Sequence, residues 1–139
     1  MHILYEDNHI IAVNKSTSDI VQGDKTGDMP LSEKVKRYLK EKYNKPGAVF
    51  LGVVHRLDRP VSGVVVFAKT SKALTRLNEL FKTRQVEKVY WAIVKNMPEE
   101  TEGKLEHYLL KNEQQNKSYA YDNMVSKAKK AILSYRLLG

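Results

Sequence analysis

The sequence predicts one domain that contains both helices and strands, and three observations support this. Short apolar runs rich in β-branched residues, at 49–54 and 64–68, are typical of buried strands. Two longer segments, 31–43 and the one that follows Ser71, carry apolar residues at helical spacing. The length of 139 residues fits a single domain, and no internal repeat is present.

The composition indicates a soluble, basic protein. Hydrophobic residues make up 42% of the chain, which is enough for a core. Lys and Arg outnumber Asp and Glu by 24 to 16, and the pI is near 9.6. A pI above about 9 is typical of proteins that bind polyanions such as nucleic acid. The alternative is a generally basic surface with no specific partner.

Cysteine usage and hydropathy favour a cytoplasmic location. The chain has no cysteine, which excludes disulfides and thiolate metal sites and is compatible with a reducing compartment. The apolar runs are far shorter than the roughly 18 residues of a membrane helix. The first residues include acids and show no small-residue cleavage site, so no signal peptide is evident.

The N-terminal third predicts a hairpin followed by a loop and a helix. Residues 3–5 and 9–13 flank a turn-prone Glu-Asp-Asn, with Ile10, Ile11 and Val13 as core candidates. Residues 18–30 are polar and predict a surface loop. The helix over 31–43 places these apolar residues at helical spacing: Leu31, Val35, Tyr38, Leu39 and Tyr43. Its lysine face is either solvated or a track for phosphates, and its tyrosines are better explained as helix packing than as base-stacking platforms.

A charged loop between two strands, at 55–63, is the strongest candidate for function. It carries Arg56, Asp58 and Arg59, and functional side chains often lie on loops held by a rigid scaffold. The competing interpretation is a simple turn in which Asp58 caps its own backbone and the arginines are solvated. A second helix follows, with Ser71 as the expected N-cap and an apolar stripe that serves packing: Ala73, Leu74, Leu77, Leu80 and Phe81.

The segment 86–94 predicts the next buried strand. Lys88, Tyr90 and Ala92 alternate onto one of its faces, since successive strand side chains point to opposite sides. Taken alone, Tyr90 would be a half-buried strand tyrosine. Further along, 104–110 is strand-like, 112–117 is a polar turn, and 131–138 predicts a strand. The basic cluster before that strand, either solvated or in contact with phosphate, consists of Lys127, Lys129 and Lys130.

Two motifs together resemble a known family. His55-Arg56-Leu57-Asp58, then Ser62-Gly63 and an apolar run ending in Phe-Ala-Lys-Thr, resemble the signature of the RluA branch of the RNA pseudouridine synthases. The pattern K-x-Y-x-A-x-V from Lys88 to Val94 is similar to the family's second motif, at the family's usual distance from the first. Val61 departs from the family, which commonly has Thr there. An Asn-Lys-Pro-x-Gly segment of the family also differs here, with Ser16 and Ser18 in place of Pro and Gly.

The resemblance implies a fold and a reaction. The fold would be α+β, with a mixed, mainly antiparallel sheet, flanking helices and a basic active-site cleft. The reaction would convert a uridine in ribosomal or transfer RNA to pseudouridine without cofactor or metal. Asp58 would be the catalytic carboxylate, and Tyr90 would stack on the flipped base. Arg56 would fill the space the base leaves. Lys88 and Arg59 would contact substrate, with a structural role as the alternative for Arg59.

The resemblance also implies that 1–139 is the N-terminal portion of the family's catalytic domain, with no S4-type RNA-binding domain before it. The family's G-R-x-H-Q-I-R-like segment, and a later basic residue that pairs with the catalytic Asp, have no counterpart in this sequence. Such a portion would expose sheet edges that favour self-association. The alternative function is therefore a catalytically incomplete RNA-binding fragment of the same fold.

Overall fold

An antiparallel hairpin opens the chain in the computed structural model, which describes all 139 residues. Strand β1 (His2–Glu6) pairs with β2 (Ile10–Lys15), as the sequence predicts. The carboxylate of Asp7 closes the turn because it accepts hydrogen bonds from the backbone N–H groups of His9 and Ile10, both at 2.7 Å. An aspartate that binds backbone two and three residues ahead is a common turn device.

The first sheet is four-stranded and wholly antiparallel, in the order β1-β2-β4-β3. Strand β3 (Gly52–Val53) is much shorter than the predicted 49–54, whereas β4 (Gly63–Ala68) matches the predicted apolar run. On the inner face of this sheet, Ile11 of β2 pairs with Phe67 of β4, and Val13 pairs with Val65. All four side chains are fully buried. These cross-strand pairs form the centre of the core.

Two helices complete this core. Helix α1 (Leu31–Lys42) buries Leu31, Val35 and Leu39 at helical spacing, and α2 (Ser71–Lys82) packs against β3 and β4. The predicted N-cap of α2 is wrong by one residue: the hydroxyl of Thr70, not Ser71, accepts the hydrogen bond from the Ala73 N–H at 3.1 Å. Threonine can cap as serine does, so the two neighbours compete for the position.

Helix α2 approaches the sheet closely because residue 52 is a glycine. A Cβ atom at Gly52 would lie 2.8 Å from Cδ1 of Leu74, so a larger residue would have to displace the Leu74 side chain. Leu74 belongs to the predicted apolar stripe of α2.

A buried carboxylate joins β1, α1 and the end of β4. Glu6 accepts hydrogen bonds from Lys42 Nζ at 2.8 Å, Lys69 Nζ at 2.7 Å and the hydroxyls of Tyr38 and Tyr43 at 3.0 and 2.7 Å. Of the two tyrosines predicted to pack from the helix, Tyr38 packs against the core, whereas Tyr43 is the C-cap residue after α1 and is 47% exposed. Burial raises the pKa of Glu6, but these hydrogen bonds outweigh it and lower the pKa to about 2.

The chain divides into two compact units, 1–89 and 90–139, called here the N-terminal and C-terminal units. The C-terminal unit is a three-stranded antiparallel sheet in the order β6-β5-β7. Its strands are β5 (Glu102–Asn112), β6 (Lys117–Tyr121) and β7 (Lys129–Arg136). The strands at 104–110 and 131–138 and the turn between β5 and β6 are thus confirmed with shifted bounds, while β6 is additional.

The predicted buried strand at 86–94 does not form. The segment has no regular secondary structure, and the side chains of Val89, Trp91 and Ile93 are 75%, 87% and 104% exposed. The prediction fails because a strand requires a neighbour to complete its hydrogen-bond ladder. No segment of this chain pairs with 86–94.

The α+β class is confirmed. Its strand pairings are all antiparallel and are distributed over two sheets. Neither helix is long and apolar enough to cross a membrane.

Candidate active site

The segment between β3 and β4, residues 54–62, is called here the Asp58 loop. Within it, Leu57 packs against the core, while the side chains on either side of it, Arg56 and Asp58, are exposed. Neither of these two takes part in a salt bridge. The loop therefore presents one carboxylate and one guanidinium together to solvent.

His55 anchors the start of the Asp58 loop. The β3–β4 pairing ends at Val53 and Phe67, and the next N–H of β4, that of Val66, donates to Nε2 of His55 at 3.0 Å. The imidazole thus replaces a strand neighbour where β3 turns away. The ring also stacks on Phe81 of α2, with centroids 5.1 Å apart.

The hydrogen bond from Val66 requires a neutral His55, because Nε2 must offer a lone pair. Burial lowers the pKa of His55, and the positive charge of Lys88 lowers it further. Both effects favour the neutral acceptor. Lys88, an expected substrate contact, is exposed and belongs to the same unit as His55.

A buried lysine fixes the middle of the Asp58 loop. Lys15 is fully buried, and its Nζ donates to the carbonyl oxygens of Ser16 at 3.1 Å, Arg59 at 3.1 Å and Val61 at 2.5 Å. Three acceptors match the three N–H donors of an ammonium group. Burial lowers the pKa of Lys15, which the charges of Asp19 and Asp58 partly counteract.

No role is predicted for Lys15 from the sequence, although the alternation of residues along β2 indicates its burial. Ile11, Val13 and Lys15 lie two residues apart on β2, so they share one face of the strand. Because that face is buried, Lys15 had to be buried too.

A tight turn follows the catalytic candidate. The N–H of Val61 donates to the carbonyl of Asp58 at 3.0 Å, and Gly63 then takes φ = 138°, a conformation open essentially to glycine alone. Val61 stands where the family commonly has Thr. Its backbone makes two contacts here: its N–H donates to Asp58, and its carbonyl accepts from Lys15.

Arg59 bonds within the chain, although the sequence places it among the substrate contacts. Its Nη1 donates to Asp28 Oδ2 at 2.8 Å and to the carbonyl of Ser18 at 3.3 Å. Its Nη2 donates to Thr26 Oγ1 at 2.9 Å and to Asp24 Oδ2 at 3.3 Å. The geometry favours the structural alternative for this residue.

Tyr90 is the first residue of the C-terminal unit and is 60% exposed. It lies in the irregular segment described above and not on a strand. Asp58 and Arg56 belong to the N-terminal unit, as does Lys88, so the boundary between the units falls inside the second motif, between Val89 and Tyr90.

Comparison with known proteins assigns the chain to a family. The model of the RNA pseudouridylate synthase family matches residues 9–139. The chain belongs to this family. The RluA-type resemblance of the sequence is thereby confirmed, and the motif residues Asp58 and Tyr90 both lie within the matched region.

Curated relatives agree with this assignment. Ribosomal large subunit pseudouridine synthase C of Escherichia coli (strain K12) is 36% identical over 110 residues, which cover 79% of this chain and 33% of the relative. Ribosomal large subunit pseudouridine synthase D of Borreliella burgdorferi is 34% identical over 141 residues, covering 98% of this chain and 42% of the relative. The chain thus spans well under half the length of these relatives.

A solved structure supports the fold. Human RNA pseudouridylate synthase domain containing 4 superposes with a TM-score of 0.78 at 24% sequence identity. The match covers 97% of this chain and 52% of that protein.

Proposed function

We propose that the protein isomerises uridine to pseudouridine in RNA, with Asp58 as the catalytic carboxylate. One observation supports the proposal most strongly. In a chain of this family, Asp58 is exposed on a loop that is held in place by hydrogen bonds of Lys15 and His55. A reactive group must be held in place to be effective. His55 lies three residues before Asp58, and Lys15 binds backbone carbonyls of the Asp58 loop.

The reaction breaks the bond between C1′ of the ribose and N1 of uracil, turns the base, and joins C1′ to C5. The proton on C5 is then lost and one is gained at N1, so the product is an isomer and nothing is oxidised. An ionised carboxylate can assist at C1′, either as nucleophile or as base, while the base turns. Asp58 supplies that group.

The target uridine must leave its stack to reach Asp58. Extrusion of a base costs a few kcal/mol. In our proposal Tyr90 stacks on the flipped base, which is worth about 1–3 kcal/mol and offsets much of that cost. Arg56, exposed beside Asp58, enters the space that the base vacates. Lys88 contributes positive charge for the RNA backbone.

We propose ribosomal RNA as the substrate, because synthases C and D are named for the large ribosomal subunit. The net charge of +8 suits a polyanionic partner. The protein would then act where ribosomal RNA is found, in the cytoplasm, and the cysteine-free sequence is compatible with that compartment.

The test is to incubate the protein with unmodified total RNA and to map pseudouridine at single-nucleotide resolution. The wild-type protein is expected to produce pseudouridine at specific ribosomal positions, and Asp58→Asn is expected to produce none while binding RNA equally well. RNA binding without product from the wild-type protein would favour the alternative, a catalytically incomplete RNA-binding fragment. A modified transfer RNA and unmodified ribosomal RNA would overturn the proposed substrate but not the reaction.

A further inference from the structure

Arg59 is attached to a second loop at both its backbone and its side chain. That loop, residues 18–30, is called here the acidic loop, since it contains Asp19, Asp24 and Asp28. The Ser18 N–H donates to the Arg59 carbonyl at 3.0 Å, and the Arg59 guanidinium donates back to the Ser18 carbonyl. The two segments are thus joined by reciprocal hydrogen bonds more than forty residues apart in sequence.

The charges reinforce this attachment. Hydrogen bonds from Arg59 and Thr26 lower the pKa of Asp28, and hydrogen bonds from Thr26 and Arg59 lower that of Asp24. The two carboxylates in turn raise the pKa of Arg59. All three groups are therefore charged at neutral pH. The Thr26 N–H also donates to Asp24 at 2.9 Å, and the single hydroxyl proton of Thr26 is shared between Asp24 and Asp28, so this residue holds the two carboxylates side by side for the guanidinium.

We propose that Arg59 is a positioning residue: clamped by Asp24 and Asp28, it holds the turn at Asp58–Val61 and so aims the Asp58 carboxylate. The catalytic consequence rests on the proposed function above. The carbonyl of Arg59 accepts hydrogen bonds from Lys15 and Ser18, and its guanidinium binds the acidic loop. The residue directly after Asp58 is thus fixed at three points.

The geometry favours positioning over phosphate binding. The guanidinium already faces two carboxylates and two further oxygens, and an RNA phosphate would have to displace them. The carboxylates would also repel the phosphate. A substrate arginine is better served by the environment of Arg56, which is exposed and has no salt bridge.

The two roles predict opposite kinetics. If Arg59 positions Asp58, Arg59→Gln lowers kcat by roughly 10-fold to 100-fold with little change in KM, because a small misplacement of a reacting group is costly. If Arg59 binds phosphate, KM rises at constant kcat and the salt dependence of binding weakens by about one unit of slope.

The carboxylates provide the sharper test. The double variant Asp24→Asn/Asp28→Asn is expected to reproduce the loss of kcat. Combined with Arg59→Gln, it should cause no further loss, since all three groups act as one unit. Additive losses in the triple variant, or an unchanged kcat in the double variant, would overturn the proposal.

Lys34→Gln is the matched control. Lys34 pairs with Asp19 of the same acidic loop at 2.7 Å, but it makes no hydrogen bond or salt bridge with the Asp58 loop. Lys34→Gln removes one cation and one ion pair, whereas Arg59→Gln removes one cation and two ion pairs, so the two variants are matched in the charge that they remove. We expect kcat and KM to remain within about twofold of wild type, so that a general loosening of the acidic loop is excluded.

Amide hydrogen exchange tests the clamp without reference to activity. Exchange at Ser18 and Val61 should accelerate by roughly fivefold or more in Arg59→Gln and in the double aspartate variant, but not in Lys34→Gln. If the wild-type protein makes no pseudouridine, the proposed function fails, and these exchange rates alone then decide whether the clamp exists. Unchanged protection at both amides would contradict it.

Discussion

The two units of the protein differ in how they use apolar residues. The N-terminal unit buries a continuous cluster in which Ile11, Val13, Val65 and Phe67 are fully buried. The C-terminal unit has a well-formed sheet of three strands, yet none of its residues is buried. The second unit thus depends more on backbone pairing, whereas the first depends more on side-chain packing. The Asp58 loop is attached to the packed unit.

The largest difference should appear when apolar side chains are truncated. Phe67→Ala removes a fully buried ring and is expected to lower the free energy of unfolding by about 3–5 kcal/mol. Leu133→Ala, at a position 54% exposed on β7, should change it by less than about 0.5 kcal/mol. Urea denaturation of both variants measures the contrast. Equal losses would show that the C-terminal unit has a core of its own.

The buried lysine should have the next largest effect. Lys15→Met keeps the length of the side chain but leaves three carbonyls without their donor, which should cost about 1–3 kcal/mol of stability. The carbonyls of Arg59 and Val61 belong to the turn that begins at Asp58. The rate of pseudouridine formation should therefore fall by more than the decrease in folded protein explains. Full specific activity in the folded fraction of this variant would show that the anchor does not control Asp58.

A smaller, pH-dependent effect is expected at Glu6. Its pKa is about 2 in the folded protein and near 4.5 without the fold, so its contribution to stability is complete above about pH 4.5. That contribution is lost as the pH falls from 4.5 toward 2, because the unfolded chain then binds the proton more readily. Glu6→Gln should therefore reduce stability at pH 7 and flatten the pH dependence in this window. Parallel curves for variant and wild type would contradict the assignment.

Local pattern predicted the N-terminal unit well. The hairpin, both helices and the loop between β3 and β4 follow from apolar spacing and turn residues, because each apolar face meets another within the same unit. The segment 86–94 has the same apolar, β-branched character, but composition does not say whether a partner strand exists. The pattern of this segment therefore predicts a buried strand that this chain does not form.

The sequence predicts which residues form the candidate site, but not the contacts that hold them in place. Asp58, Arg56 and Tyr90 stand in motifs that sequence alone can match. Their anchors depend on contacts between distant segments: Lys15 binds carbonyls more than forty residues away, and Arg59 meets carboxylates of the acidic loop. Such contacts leave no local pattern. The strand alternation that buries Lys15 was the one available signal.

We propose that Asp58 takes part in the chemical step and not only in RNA binding. The most direct measurement is single-turnover pseudouridine formation by wild type and Asp58→Asn at saturating protein, together with RNA affinity. We expect a rate at least about 1,000-fold lower in the variant with RNA affinity within about twofold, since a nucleophile or base acts in the transition state and contributes little to ground-state binding. A variant that retains the wild-type rate would contradict this role of Asp58.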